Sequence, residues 1–110
     1  MTVYEIYLKT AGDPKRIAAS IFSSAGIELQ EDQLQGWRVS DNLGGSYLLQ
    51  HLGATDVKLL SNVDGVGDPE MDSYTFVLLI SADDEAEARS ITEALARACE
   101  SLGLEHRILP

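Results

Sequence analysis

The sequence predicts an α+β fold: a split βαβ sandwich whose antiparallel sheet carries two helices on one face, with extra β elements in residues 31–72. Three observations predict it. Two segments, one at each end of the chain, follow the same plan of strand, helix, glycine, strand. Each helical stretch has a side-chain cap at its start and a glycine at its stop. A length of 110 residues gives room for one core and hardly for two, so a single domain over 1–110 is expected. Within it lie a first unit over 3–30, an acidic connecting segment over 31–72 and a second unit over 73–109.

The first strand runs Tyr4-Glu-Ile-Tyr-Leu-Lys. Tyr4, Ile6 and Leu8 take one face and Glu5, Tyr7 and Lys9 the other, the period of two expected of a sheet with one wet face. Asp13 is a good N-cap, and Pro14 occupies the first helical position, where its missing N–H costs nothing. Ile17, Ala18, Ile21, Phe22 and Ala25 then fall on one apolar stripe. Gly26 is placed to end the helix in the left-handed conformation, and Ile27-Glu-Leu29 to open the next strand.

In the second unit the strand is Tyr74-Thr-Phe-Val-Leu-Leu-Ile80, whose stretch Phe76 to Ile80 is the longest apolar run in the chain. By length it is a buried strand, far too short to cross a bilayer. Ser81 with Asp84 three residues on resembles a capping box, and Asp83, Asp84, Glu85 and Glu87 crowd the first helical turn, where the helix dipole favours them. Ala88, Ile91, Leu95, Ala98 and Leu102 recur at steps of three and four on one face. The spacing from Tyr74 to Gly103 exceeds that from Tyr4 to Gly26, so this helix is longer by about two turns and is expected to overhang the sheet. Leu104-Glu-His106 opens the last strand.

Between the units, Trp37 and Val39 suit a short strand, and Asn42-Leu-Gly-Gly45 is a turn signal. Ser46 to Leu52 fits either a short helix ended by Gly53 or a strand with Tyr47, Leu49 and His51 alternating; the Gly-Gly turn before it favours the strand. Val57 to Ser61 is a strand, and Asn62-Val-Asp-Gly-Val-Gly-Asp-Pro is a loop by composition. This order of elements resembles a ferredoxin-like fold, a resemblance carried by the two ends of the chain and by no motif. Such a scaffold hosts metabolite sensors, enzymes, nucleic-acid binders and inhibitors, so function has to be argued from a site.

Charge is the most directed functional signal. The formal net charge of -10 is uneven: residues 1–30 carry three acids and three bases, residues 31–72 eight and two, and residues 73–110 seven and three. A localised charge creates a field and favours cationic partners. It also disfavours a phosphate backbone, where Lys and Arg supply affinity, so nucleic acid is not the expected direct partner. The 45% hydrophobic content is that of a folded domain. No secretory signal opens the sequence and the lone Cys99 fits a reducing compartment, so a cytoplasmic protein without a membrane span is expected.

No catalytic constellation is visible, and neither an enzyme nor a bound cofactor is expected. The loop Asn62-x-Asp64-Gly65 with Asp68 offers oxygen ligands for Ca²⁺ but fails the alternating spacing that a calcium loop needs. His51 and His106 fall in no zinc-ligand spacing. Cys99 sits on the helix stripe as a small hydrophobe, and Gly44-Gly45 and Gly65-x-Gly67 lack the Lys and helix of a phosphate loop. Trp37 stands in a polar segment beside Glu31 and Asp32, and Trp is enriched among binding hot spots.

Two classes of function follow. The first is a small acidic protein-binding module that inhibits or neutralises a basic partner, such as a nuclease toxin. It shares its general properties with toxin immunity proteins, antitoxins and phage-encoded inhibitors. Glu31, Asp32, Asp41, Asp64, Asp68, Glu70 and Asp72 would supply the charged contacts and Trp37 an apolar anchor. The second is a ferredoxin-like small-molecule-binding domain or small enzyme working as a homodimer, with ligand held against the polar face of Glu5, Tyr7 and Lys9, or beside His51.

Overall fold

The computed structural model describes residues 2–27, 38–39, 46–62, 70 and 73–109; of residues 38–39 and 46–51 it gives the backbone. The elements, in chain order, are β1 (Thr2–Lys9), α1 (Pro14–Ser24), β2 (Arg38–Val39), β3 (Ser46–Leu52), β4 (Thr55–Ser61), β5 (Phe76–Ala82), α2 (Glu85–Ser101) and β6 (Glu105–Leu109). The strands form one six-stranded sheet in the order β2-β3-β4-β5-β1-β6, antiparallel at every pairing. This is the α+β class read from the sequence. At its centre β5 separates β1 from β4, and β1 separates β5 from β6, which is the split βαβ relationship. The full order is not that of the minimal four-stranded plan, because β3 and β2 extend the sheet beyond β4. Ser46 to Leu52 is a strand, and β4 beside β5 comes from within residues 31–72. The strand expected directly after Gly26 reaches into residues 28–30, outside the described residues.

Both helices lie on one face, and the reason is local. Ile6, Leu8, Val57, Leu59, Leu78 and Ile80 share that face by strand alternation, and they form one buried cluster with Ala18, Ile21 and Phe22 of α1 and Ala88, Leu95, Ala98 and Cys99 of α2. Small alanines on α2 let the helix axis approach the sheet closely. Leu102, expected on this stripe, is instead 43% exposed. It is the C-cap of α2, beyond the last full helical turn, where the chain has already begun to leave the sheet.

The two units agree down to individual hydrogen bonds. Asp13 caps α1 by accepting from Lys15 N–H at 3.2 Å, and Asp84 caps α2 by accepting from Ala86 N–H at 2.9 Å. At the other ends, Ile27 N–H donates to Phe22 O and Leu104 N–H to Cys99 O, each at 2.9 Å, while Gly26 and Gly103 donate one turn back to Ser23 and Glu100. This double bond pattern requires a left-handed residue, and Gly26 (φ 74°) and Gly103 (φ 70°) supply it.

Ser81 is not part of a capping box. β5 continues to Ala82, paired with Thr2, so Ser81 belongs to a strand opposite Val3 and Asp56, and the cap falls to Asp84 alone.

The face away from the helices also departs from expectation. Alternation does place Glu5, Tyr7 and Lys9 there, but Tyr7 is fully buried, and with Val77 (1% exposed) and Leu60 it makes a second apolar cluster, against which Leu79, Leu109 and Tyr74 pack. The registers Tyr7↔Val77 and Leu60↔Val77 line these three up across adjacent strands. The sheet is therefore apolar at the centre of both faces. No helix among the described residues is long and apolar enough to cross a membrane.

Candidate functional site

One edge of the sheet gathers the loops that flank the acidic sequence. The pairs Leu8↔Phe76 and Ser61↔Phe76 bring the end of β1, the end of β4 and the start of β5 into one row, and Val39↔Ser46 places the β2 and β3 ends along it. Segments 40–45 and 62–75 thus both join the sheet at this edge. Asn62 N–H donates to Thr75 O and its side-chain amide to Tyr74 O, each at 2.9 Å. Thr75 ties the same corner to β1: its N–H donates to Leu8 O at 2.8 Å, and its hydroxyl accepts from Thr10 N–H at 3.0 Å. That hydroxyl in turn donates to Thr10 O, with Leu8 O 3.2 Å away as an alternative acceptor.

Asn62, Tyr74 and Thr75 thereby hold the two ends of the segment that carries Asp64, Asp68, Glu70 and Asp72. The sequence marks Asn62 as the start of a loop and a candidate oxygen ligand, and it gives no signal for Thr75, whose side-chain partners lie 65 and more residues away.

Of the eight expected contact residues, Glu70 is within the described residues, and it is exposed. Glu31, Asp32, Trp37, Asp41, Asp64, Asp68 and Asp72 lie outside them. Their attachment points differ. Asp41 falls in the connection between β2 and β3, and Asp64, Asp68 and Asp72 in the one between β4 and β5, at the edge just described. Glu31 and Asp32 follow Ile27, where α1 has run back from that edge after starting beside it at Asp13.

Among the described residues, two ion pairs and a charged hydrogen bond are formed on the framework. Lys9 Nζ lies 3.1 Å from Glu105 Oε2 and 5.0 Å from the centre of the Tyr74 ring, Arg89 lies 3.0 Å from Glu85, and the Tyr7 hydroxyl donates to Glu5 Oε2 at 2.8 Å. The hydrogen bond that its guanidinium donates to Tyr4, and then the neighbouring Glu85, hold Arg89 above its ordinary value, so it stays charged. In all, the described residues carry eleven acids and eight bases, and the remaining residues seven acids and no base.

The other candidate groups are occupied locally. Burial pushes the Cys99 thiol up to about 11, so no thiolate is present at neutral pH. His106 Nδ1 is 2.9 Å from Leu104 O. Asp84 is used in capping, with a second contact to Glu87 N–H, and Glu85 in its pair with Arg89. Among the described residues no three His, Cys, Asp or Glu are grouped so as to hold a metal ion. Of the calcium-loop candidates, Asn62 turns its side-chain amide to Tyr74, and Asp64 and Asp68 are outside the described residues.

Hollows adjoin the same edge. One of about 510 Å³ lies between the start of α1 and the end of α2, lined by Gly12, Asp13, Arg16, Ile17, Leu102 and Leu104. Another of about 370 Å³, lined by Thr10, Asn62, Tyr74 and Thr75, shares Gly12 with it. A third, of about 180 Å³, is at the opposite edge beside Asp56, Ser81 and Asp83. Glu5, Tyr7 and Lys9 line none of the three. No protein-family model matches the chain, and neither a curated protein nor a solved structure matches it significantly.

Proposed function

We propose that the protein is an interaction module that engages and blocks a basic protein partner, such as a nuclease toxin, in the manner of an immunity protein, an antitoxin or a phage-encoded inhibitor. The observation that carries this reading is the partition of charge. A framework of described residues with eleven acids against eight bases is joined to connecting segments that contain seven acids and no base, and three of those acids lie in a segment whose ends are fastened to the sheet by Asn62, Tyr74 and Thr75. Complementary charge steers association and selects the partner, and occlusion of a cationic groove needs no catalytic group. Glu31, Asp32, Asp41, Asp64, Asp68, Glu70 and Asp72 supply the charged contacts and Trp37 the apolar anchor. The lone buried thiol of Cys99 suits a reducing cytoplasm.

The test starts with affinity capture from cells of the source organism and identification of what is retained. Association rates are then measured at low and high salt for the native protein and for the triple variant Asp64→Asn, Asp68→Asn, Asp72→Asn. A basic partner, a rate that falls with salt, and a triple variant slowed about tenfold or more are expected. A neutral or acidic partner, or a rate indifferent to salt, overturns the reading.

One observation favours a second reading, a small-molecule-binding regulatory domain: the hollow of about 510 Å³ beside Arg16 is of the size that ligand sites have. A metabolite panel that raises the melting temperature of the native protein and leaves Arg16→Ala unmoved supports it.

A further inference from the structure

Among the described residues β6 is the last strand of the sheet and pairs on one side only, with β1. An edge strand presents a row of unpaired backbone groups, and natural sheets commonly keep such edges apart with charge. In β6 the order of the charges does the reverse. Glu105 and Arg107 are exposed and share the face away from the helices, opposite Lys9 and Tyr7 of β1. Leu104 and Ile108 flank them, and Ile108 is one of three large apolar residues left more than 40% exposed among those described. About His106 the sequence Leu-Glu-His-Arg-Ile is thus balanced in chemistry and opposite in sign.

We infer that β6 is a self-association edge, where a second copy of this chain pairs antiparallel about His106 to join the two sheets. A two-fold axis through this position sets Glu105 of each copy opposite Arg107 of the other, twice, and Leu104 opposite Ile108, twice. Moving the axis by one residue sets Arg107 against Arg107, and like charges directly opposite one another destabilise a strand pair. The occupant is specified by this complementarity: a two-fold antiparallel pair requires opposite signs at equal distances from its centre, and β6 has them. Both helices of each copy stay on the same side of the joined sheet. Arg107 has no ion-pair partner among the described residues, and the exposed Glu105 carboxylate has room for a second cation beside Lys9. This edge is distinct from the acidic connections, so the two assignments stand or fall separately.

Sedimentation equilibrium over a dilution series tests it. The native protein is expected to dimerise, and Arg107→Glu, which sets glutamate against glutamate at both pairs, to raise the dimer Kd about tenfold or more. Glu105→Arg alone has the same effect, and mixing the two single variants restores dimers as heterodimers. Circular dichroism and melting confirm that each variant is folded; should one of them fail, Ile108→Lys on the exposed flank supplies the same loss. A monomer at every concentration, a dimer indifferent to these substitutions, or a mixture that does not re-associate overturns the assignment.

Discussion

The side-chain amide of Asn62 donates to the carbonyl oxygen of Tyr74 at 2.9 Å, so that two residues twelve apart close the base of the most acidic connection in the chain. The backbone bond from Asn62 to Thr75 reinforces the closure, and Thr75 carries it on to Leu8 and Thr10. Fastening the ends of a connection reduces the entropy lost when it meets a partner. Asn62→Ala is therefore expected to lower stability by about 1 kcal/mol, the worth of one partly buried hydrogen bond. The loss of affinity for the captured partner should come mainly through a faster off-rate. Urea unfolding and surface plasmon resonance measure the two effects, and a variant as stable and as tightly binding as the native protein removes any role for the closure.

Tyr7 is as buried as any residue beneath the helices, although it lies on the other face of the sheet. Tyr7→Ala is expected to cost about 3–5 kcal/mol, comparable with Leu95→Ala in the main core. If that face were wet, the cost would stay below about 1 kcal/mol. Chemical denaturation of the two variants side by side decides.

The start of α2 distinguishes two readings of the same few residues. Asp84→Ala removes a cap that accepts from Ala86 and Glu87 and should cost about 1 kcal/mol. Ser81→Ala lies in a strand and should change stability by less than about 0.5 kcal/mol. A larger loss at Ser81 than at Asp84 would return the cap to the capping-box position.

Cys99 gives the fold a dependence on alkaline pH. Its thiol is pushed up to about 11 in the folded protein by burial, above the value of about 8.5 in an unfolded chain. Between these values the unfolded chain has lost the proton that the folded one retains, so stability is full below about pH 8.5 and declines as pH rises toward 11. The decline attributable to this group is about 3 kcal/mol. Cys99→Ala starts from a lower stability and should show a shallower fall over the same window. Melting temperatures of both proteins from pH 7.5 to 10.5 provide the comparison, and parallel curves would rule out the thiol as the cause.

The start of α1 and the stops of both helices were legible because their causes are local. Asp13 with Pro14, Gly26 and Gly103 each act within one turn of themselves, and the sequence spacing contains that geometry. The turn between β3 and β4 was equally within reach: Gly53-Ala54, with Gly53 at φ 63°, is a two-residue hairpin connection with glycine in its first position. It was obscured by the second meaning of Gly53 as the end of a helix over Ser46 to Leu52. Ser81 misled for a different reason. Its spacing to Asp84 satisfies a capping pattern, but pairing with Val3 and Asp56 keeps it in the sheet, and no local rule reports which of the two competing bonds wins.

The sequence by itself determined the class of fold, the alternation of β1, the start of α1, the stops of both helices and the placement of negative charge, because each depends on the residue types within a few positions of one another. Only the tertiary structure decided that Tyr7, Leu60 and Val77 share a second buried cluster, that Leu102 lies outside the core, and that Asn62, Tyr74 and Thr75 hold the corner where β1, β4 and β5 meet. It also set β6 alone at an edge, with Glu105 and Arg107 side by side on one face. Alternation assigns a side chain to a face, but which strands become neighbours, and what each face then packs against, depends on contacts between residues tens of positions apart.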